Sequence, residues 1–482
     1  MILDGYEPKE VFRHFEKISE IPRASGNELA VSSYIAQYAR GLGLEAIQDE
    51  WNNLTIFKPA SPGYEGKEPV ILQGHLDMVA EKNADTVHDF SKDPIKLYID
   101  GDYVKAYGTT LGADNGIGVA MCIALLESDI PHPPLEIILT VDEETGMSGA
   151  ENLDTSRLKG RRLINLDSGR EAAFTMGCAA GTTAEFTVPV RWTETADDST
   201  VCTLMVKGLK GGHSGEDIKK ERGNANRILG FLLAALDNSL KGLRLSKVEG
   251  GMKINAIPRE SKAVFALSPD EKASVESILE KCKKDLLEQY RVPDPDLCIE
   301  WAFGNDSELK VMEAESGRKV ISSLVLIPTG VESMSMEIEG LVNSSCNLGV
   351  IETLEDSVKI SAMARGAADI FIRQTEKQIE LLAGLIGAEI IFIQRSPAWP
   401  FNPDSPLLKS ASMVYPLAFD REAKVAAIHA GLECGIFAQK IPGLDIIAFG
   451  PQVNECHTPY ERLSISSTSR VWKFVQELLK VL

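Results

Sequence analysis

The chain lacks the cysteine spacing of a disulfide framework and has no thiolate pair of the kind that marks a metal site. Its eight cysteines (122, 178, 202, 282, 298, 346, 434 and 456) form no C-x-x-C pair, which predicts free thiols and a reducing compartment. No uninterrupted apolar run reaches membrane-spanning length. The opening "MILDGYEPKEVF" has acidic residues where a secretory signal needs basic ones ahead of an apolar core, so a cytoplasmic location is expected. Positive charge is scarce: 50 Lys and Arg stand against 70 Asp and Glu, a net −20. That field repels phosphate backbones and anionic membrane surfaces, which excludes nucleic acid and membrane as expected partners. The glycines of "LGADNGIG" also lack the G-x-G-x-x-G order, and an Asp stands where a pyrophosphate would lie, so a dinucleotide fold is excluded.

At 482 residues, 44% of them hydrophobic, the chain is long enough for two cores. "EPKEVFRHFEKISEI" puts Val11, Phe12, Phe15 and Ile18 on one helical face, and "NELAVSSYIAQYARGLG" follows with a second apolar stripe and a Gly exit. Three apolar runs, "EPVILQGHLDMV", "LEIILTVDEET" and "RRLINLDSG", with the helical "DNGIGVAMCIALLE" among them, predict an α/β domain whose central, mostly parallel sheet is flanked by helices. From residue 182 the texture changes to an α+β pattern that lasts to about 396. After the Pro-rich "SPAWPFNPDSP" the first texture returns. The expected organisation is a catalytic domain of residues 1–181 and 397–482 carrying an inserted lid domain, 182–396.

In open α/β sheets ligands gather outside the carboxyl ends of the strands, and all three runs end there in polar, charged residues. "GHLDMV" offers His75 with Asp77 two residues on, facing the same way if both lie on a strand. Asp114 follows in "LGADNGIG", the acidic turn Asp142, Glu143, Glu144 after the second run, Asp167 in "NLDSG", and His457 in "NECHTPYERL". Each alone has an ordinary reading: Asp114 as a helix N-cap, Asp167 as a turn former, His457 as a surface loop residue. Together they bring two imidazoles and at least three carboxylates to one sheet edge, where they repel one another unless cations sit between them. Nitrogen and oxygen donors without thiolate suit Zn²⁺, with Mn²⁺ or Co²⁺ as less selective occupants. Carboxylates 114, 144 and 167 against two divalent ions leave one positive charge, which a bridging hydroxide neutralises. Between two cations the pKa of water falls from about 16 towards about 7, and one glutamate of the acidic turn is left over to accept a proton.

These motifs, with "GLKGGHSGEDI", "ESMSMEIEGLVNSSCNLG" and "IHAGLECGIF", resemble the co-catalytic zinc exopeptidases that include carnosinases and aminoacylases, and among them the bacterial aminoacyl-histidine dipeptidase subgroup. The resemblance runs along essentially the whole chain. It implies that His75, Asp114 and Asp167 hold one zinc and Asp114, Glu144 and His457 the other, with Asp77 buttressing His75 and Glu143 as general base. It also implies a cis peptide bond between Asp114 and Asn115. In the insert it implies His213 as a donor to the developing oxyanion, Asn255 and Arg365 as holders of the substrate's carbonyl and carboxylate, and Gly431 lining the pocket through its backbone. The expected activity is hydrolysis of dipeptides, Xaa-His among them, by a homodimer formed through the lid. An N-acyl amino acid deacylase, a tripeptidase or a non-catalytic peptide binder of the same architecture stand as alternatives.

Overall fold

The computed structural model describes residues 2–171, 173–196, 198–305 and 309–482. They form two compact units. The first comprises residues 1–177, 401–427 and 432–482, and the second 178–400 together with 428–431. The sequence boundaries were expected at 182 and 397, with 428–431 in the catalytic domain.

The first unit is built on an eight-stranded sheet. In chain order its strands are β1 (Glu45–Gln48), β2 (Leu54–Lys58), β3 (Val70–His75), β4 (Leu135–Thr140), β5 (Arg162–Asn165), β6 (Ala173–Cys178), β7 (Lys424–Ile428) and β8 (Asp445–Ala448), and the spatial order is β1-β2-β4-β3-β5-β8-β6-β7. The central ladders β4-β3, β3-β5 and β5-β8 are parallel, while β1-β2, β2-β4 and β8-β6 are antiparallel. Every residue of β3 and β4 is buried, which is why both read as continuous apolar runs. The one charge inside β4, Glu136, accepts backbone N–H groups from Lys159 and Gly160 at 2.9–3.1 Å. In register, His75 stands beside Thr140 and Gln73 beside Asn165, so the chain leaves three adjacent strands at one edge.

Helices α1 (Lys9–Ser19), α2 (Leu29–Gly41), α3 (Ala113–Glu127), α4 (Pro406–Ala418), α5 (Glu433–Lys440) and α6 (Ile465–Val481) belong to this unit, with a short helix Ser148–Asn152 and a small four-stranded sheet beside them. α3 is buried continuously from Asn115 to Leu126, as expected of a helix apolar all round. α4 begins with the Ser405 hydroxyl accepting the Leu408 N–H at 2.9 Å and Pro406 in the first turn. The late segment is bonded to the early one by an aromatic cluster. Phe174 of β6 lies 5.2 Å from Tyr415 and 5.6 Å from Phe474 between ring centroids, and Phe449 lies 4.8 Å from Phe474.

The second unit carries a nine-stranded antiparallel sheet. Strands 298–304, 200–207, 261–267, 244–250, 342–353, 357–366, 180–189 and 389–396 follow one another in space, and 330–334 pairs with 342–353. Helices Ala225–Ser239, Ala314–Leu326 and Asp369–Ile386 bury apolar stripes in the same core. Among the described residues, no helix is long and apolar enough to cross a membrane.

Because Phe474 is 1% exposed and touches rings from both halves of the split unit, Phe474→Ala is expected to cost about 3–5 kcal/mol. Chemical denaturation reads this directly, and a cost below about 1 kcal/mol would show that the cluster does not join the two segments.

Candidate metal centre

The site residues of the first unit converge where the central strands end. His75 closes β3, the acidic turn 142–144 follows β4, and Asp167 comes two residues after β5. Asp114 lies in the first turn of α3 with non-helical backbone, and the N-cap position of the helix is Gly112, so the N-cap reading does not describe it. The Asp114–Asn115 peptide is cis. His457 sits in the loop before α6, in the left-handed region at φ 62°.

Asp114 faces both histidines. Its Oδ1 lies 3.3 Å from His75 Nε2 and its Oδ2 lies 3.4 Å from His457 Nε2. The same His75 nitrogen is 3.5 Å from Asp167 Oδ1, and the same His457 nitrogen is 3.0 Å from Glu144 Oε2. Two triads result, His75–Asp114–Asp167 and Asp114–Glu144–His457, each with donor atoms within 4.8 Å of one another. Glu143 belongs to neither, but groups with His75 and Glu144 on the same criterion.

Asp77 links His75 to the acidic turn. Its Oδ1 is 3.2 Å from His75 Nδ1, and its carboxylate accepts the Ser25 hydroxyl at 2.7 Å and the backbone N–H groups of Glu143 and Glu144 at 3.1 and 3.2 Å. β3 ends at His75, so strand pleating does not set the Asp77 geometry. The hydrogen bonds from Ser25 and from the N–H groups of Glu143 and Glu144 do.

The electrostatics follow from crowding. Burial disfavours a charged His75, but Asp167, Asp114 and Asp77 outweigh it and raise the imidazole well above its ordinary range. Hydrogen bonds to Asp114 and Glu144 raise His457 to about 11. Burial pushes Asp167 up to about 6, with His75 opposing and Asp114 reinforcing. Burial also drives Glu143 well above the carboxylate range, against His75 and with Asp167 and Glu144. The carboxylates thus demand positive charge at both imidazole nitrogens, and divalent cations can supply it. The residues fit such ions: two imidazole nitrogens and three carboxylates form the donor set, and buried Glu144 Oε1 has no hydrogen-bond partner.

A buried polar chain beneath the site was not anticipated from the sequence. The Asp167 N–H donates to Asn165 Oδ1 at 3.0 Å, Asn165 Nδ2 to Gln73 Oε1 at 2.5 Å, and Gln73 Nε2 to Glu433 Oε2 at 2.6 Å. Burial lifts Glu433 to about 8. The available signal was a polar residue inside each apolar run, Gln73 in "ILQGH" and Asn165 in "LINLD". Nothing comparable marked Glu433.

His213, Asn255, Arg365 and Gly431 belong to the second unit. The Nδ1 of His213 accepts the N–H groups of Gly215 and Glu216 at 3.3 and 3.2 Å, which puts the neutral ring's proton on Nε2. Arg365 is 6% exposed and its Nε has no partner. Among the described residues no carboxylate contributes to its charge balance, and burial lowers it to about 10. His429 joins this cluster: its Nε2 is 2.7 Å from Ser345 Oγ, and burial, helped by Arg365, pulls it down to about 3. Asn255 is exposed, and its carbonyl accepts the Ser214 N–H at 2.9 Å.

Residues 71–481 match peptidase family M20/M25/M40. The chain belongs to this family. It is 38% identical to the cytosol non-specific dipeptidase of Escherichia coli (strain K12) across 99% of this chain and 98% of that one. A crystal structure of aminoacylhistidine dipeptidase from Vibrio alginolyticus superposes with a TM-score of 0.91 at 38% identity, covering 100% of this chain and 98% of the other. A tripeptidase from Staphylococcus aureus subsp. aureus mu50 shares the fold at a TM-score of 0.57 and 16% identity, over 99% and 98% of the two chains. The M20 membership and the α/β fold expected from the motifs are therefore established, and with them the class of peptidase.

If the two triads hold ions as their geometry suggests, the purified chain binds about two Zn²⁺. His457→Ala is expected to lower this to about one, while Asp114→Asn, which alters the shared carboxylate, weakens both. Equilibrium dialysis with metal analysis checks this, and unchanged stoichiometry in both variants would exclude the triads as ligands.

Proposed function

We propose that this M20 peptidase is a metal-dependent dipeptidase in which Glu143 is the general base. The observation that carries the reading is that Asp114 is shared by two triads while Glu143 stands beside them uncommitted. The names and full-length identity of the Escherichia coli and Vibrio alginolyticus relatives support the dipeptide substrate, and the latter name supports Xaa-His peptides within it.

His75, Asp114 and Asp167 would hold one ion, and Asp114, Glu144 and His457 the other. Zinc fits the nitrogen and oxygen donor set. When bound, such ions act as Lewis acids that make water acidic near neutral pH and polarise a carbonyl oxygen. The chain's own residues supply the rest. Glu143 takes a proton from water on its carboxylate and delivers it to the leaving amine nitrogen. Asp77 fixes the His75 ring through Nδ1 and, by accepting the N–H groups of 143 and 144, fixes the backbone that carries the base. His213 offers an Nε2–H suited to a developing oxyanion. The buried guanidinium of Arg365, with no carboxylate of its own, suits the substrate's terminal carboxylate, with Asn255 and the backbone of Gly431 as further substrate contacts.

A cytoplasmic location is proposed on the free cysteines and on the word cytosol in the relative's name. A homodimer formed through the second unit is proposed on family resemblance alone.

Glu143→Gln is expected to retain its zinc yet lose about 10²–10⁴-fold in kcat; turnover near wild type would place the base elsewhere. Free dipeptides should be cleaved in strong preference to their N-acetylated forms, since efficient cleavage of the latter identifies a deacylase instead. Arg365→Met should raise KM for a dipeptide at least tenfold while leaving KM for its C-terminal amide nearly unchanged. Equal effects on both would remove Arg365 from carboxylate recognition.

A further inference from the structure

Two buried charged residues hold the backbone around Asp114 through hydrogen bonds to main-chain atoms. Glu461 is 2% exposed and accepts four consecutive N–H groups: Leu111 at 2.7 Å and Gly112 at 2.9 Å on Oε2, Ala113 at 2.8 Å and Asp114 at 3.2 Å on Oε1. Arg23, also 2% exposed, holds the same loop from its carbonyl side. Its Nη2 donates to Gly112 O, and its Nη1 donates to Leu76 O at 2.9 Å and Asp77 O at 3.0 Å. The Met78 N–H in turn donates to the Arg23 carbonyl at 3.1 Å.

Three ligand-bearing segments meet at these two residues. Leu76 and Asp77 follow His75, residues 111–114 end in Asp114, and Glu461 lies four residues after His457. The glycines of "LGADNGIG" make the approach possible. Gly112 has φ 69°, and a Cβ there would lie 2.7 Å from both Arg23 Nη2 and Met78 Sδ; a Cβ on Gly116 would lie 2.5 Å from the same nitrogen. The motif's glycines therefore accommodate a guanidinium, a role that metal ligation alone does not assign to them.

We propose that Glu461 and Arg23 are positioning residues that fix, through backbone hydrogen bonds, the direction in which Asp114 presents its two oxygens to His75 and His457. A carboxylate shared between two cation sites must be aimed in two directions at once, and its own side-chain torsions cannot secure both. Anchoring four N–H groups and one carbonyl of the preceding loop removes that freedom. Both residues must be charged and forked. A glutamine at 461 keeps one acceptor and turns an N–H₂ towards two N–H donors, and a lysine at 23 cannot span three carbonyls.

The proposal rests on the two-ion reading, and the experiment separates the two. Wild type, Asp114→Asn, Glu461→Gln and Arg23→Lys are compared for unfolding temperature, for zinc affinity by competition with a chromophoric chelator, and for KM and kcat on a dipeptide. Positioning predicts that the last two variants fold cooperatively, bind zinc about 10–100-fold more weakly, and lose kcat with KM within about twofold. If wild type binds no zinc, or Asp114→Asn binds it as wild type does, the two-ion reading fails. If those two behave as expected while either folded clamp variant retains wild-type affinity and kcat, positioning fails and the two-ion reading stands. Should one clamp variant not fold, the other decides, and unfolding of both would show that the pair serves the fold as a whole and overturn the proposal.

Discussion

The carboxylate of Asp114 is the constraint around which the first unit is organised. One oxygen faces the imidazole that ends β3 and the other faces an imidazole 343 positions along the chain from Asp114. Two such contacts from one short side chain leave little tolerance in the backbone that carries it. The loop before it is accordingly bonded at every N–H from 111 to 114. Asn115 after it is buried, accepting the His75 N–H through Oδ1 and donating from Nδ2 to Leu166 O at 2.7 Å.

The same logic explains why a buried strand ends in clustered negative charge. The carboxylates after β4 are held by partners that are themselves part of the site: Asp77 accepts the N–H groups of 143 and 144 while facing His75. Negative groups so close together are stable only if positive charge lies between them, and the imidazoles alone supply it only by carrying protons. The sheet contributes rigidity. Three parallel strands end side by side, β3 and β4 with their last residues paired and β5 ending opposite Gln73, and Asn165, Gln73, Thr140 and Glu433 bond them together beneath the candidate ligands.

Much of this was legible in one dimension because it obeys short-range rules. The apolar runs at 70, 135 and 162 are continuous because both faces of those strands are buried, and helix 9–19 carries its buried residues Val11, Phe12, Phe15 and Ile18 at helical spacing. His75, Asp114, Glu144, Asp167 and His457 stood out because polar groups at strand ends and helix starts are conspicuous against apolar neighbours. Arg23, Glu433 and Glu461 did not. Each lies in a loop or at a helix start, and in sequence nothing distinguishes a charge that will be desolvated by packing from one that stays in water.

The sequence by itself determined the element types, the placing of candidate ligands at strand ends, the family and the excess of negative charge, since periodicity, composition and spaced motifs are properties of the chain. Tertiary structure alone decided which oxygen of Asp114 faces which histidine, that Asp77 faces His75 from beyond the end of β3, and that two distant charges grip the loop at 112. Those are outcomes of distance and burial in three dimensions. Hydrogen bonds between residues 53 to 350 positions apart leave no periodic trace along the chain that makes them.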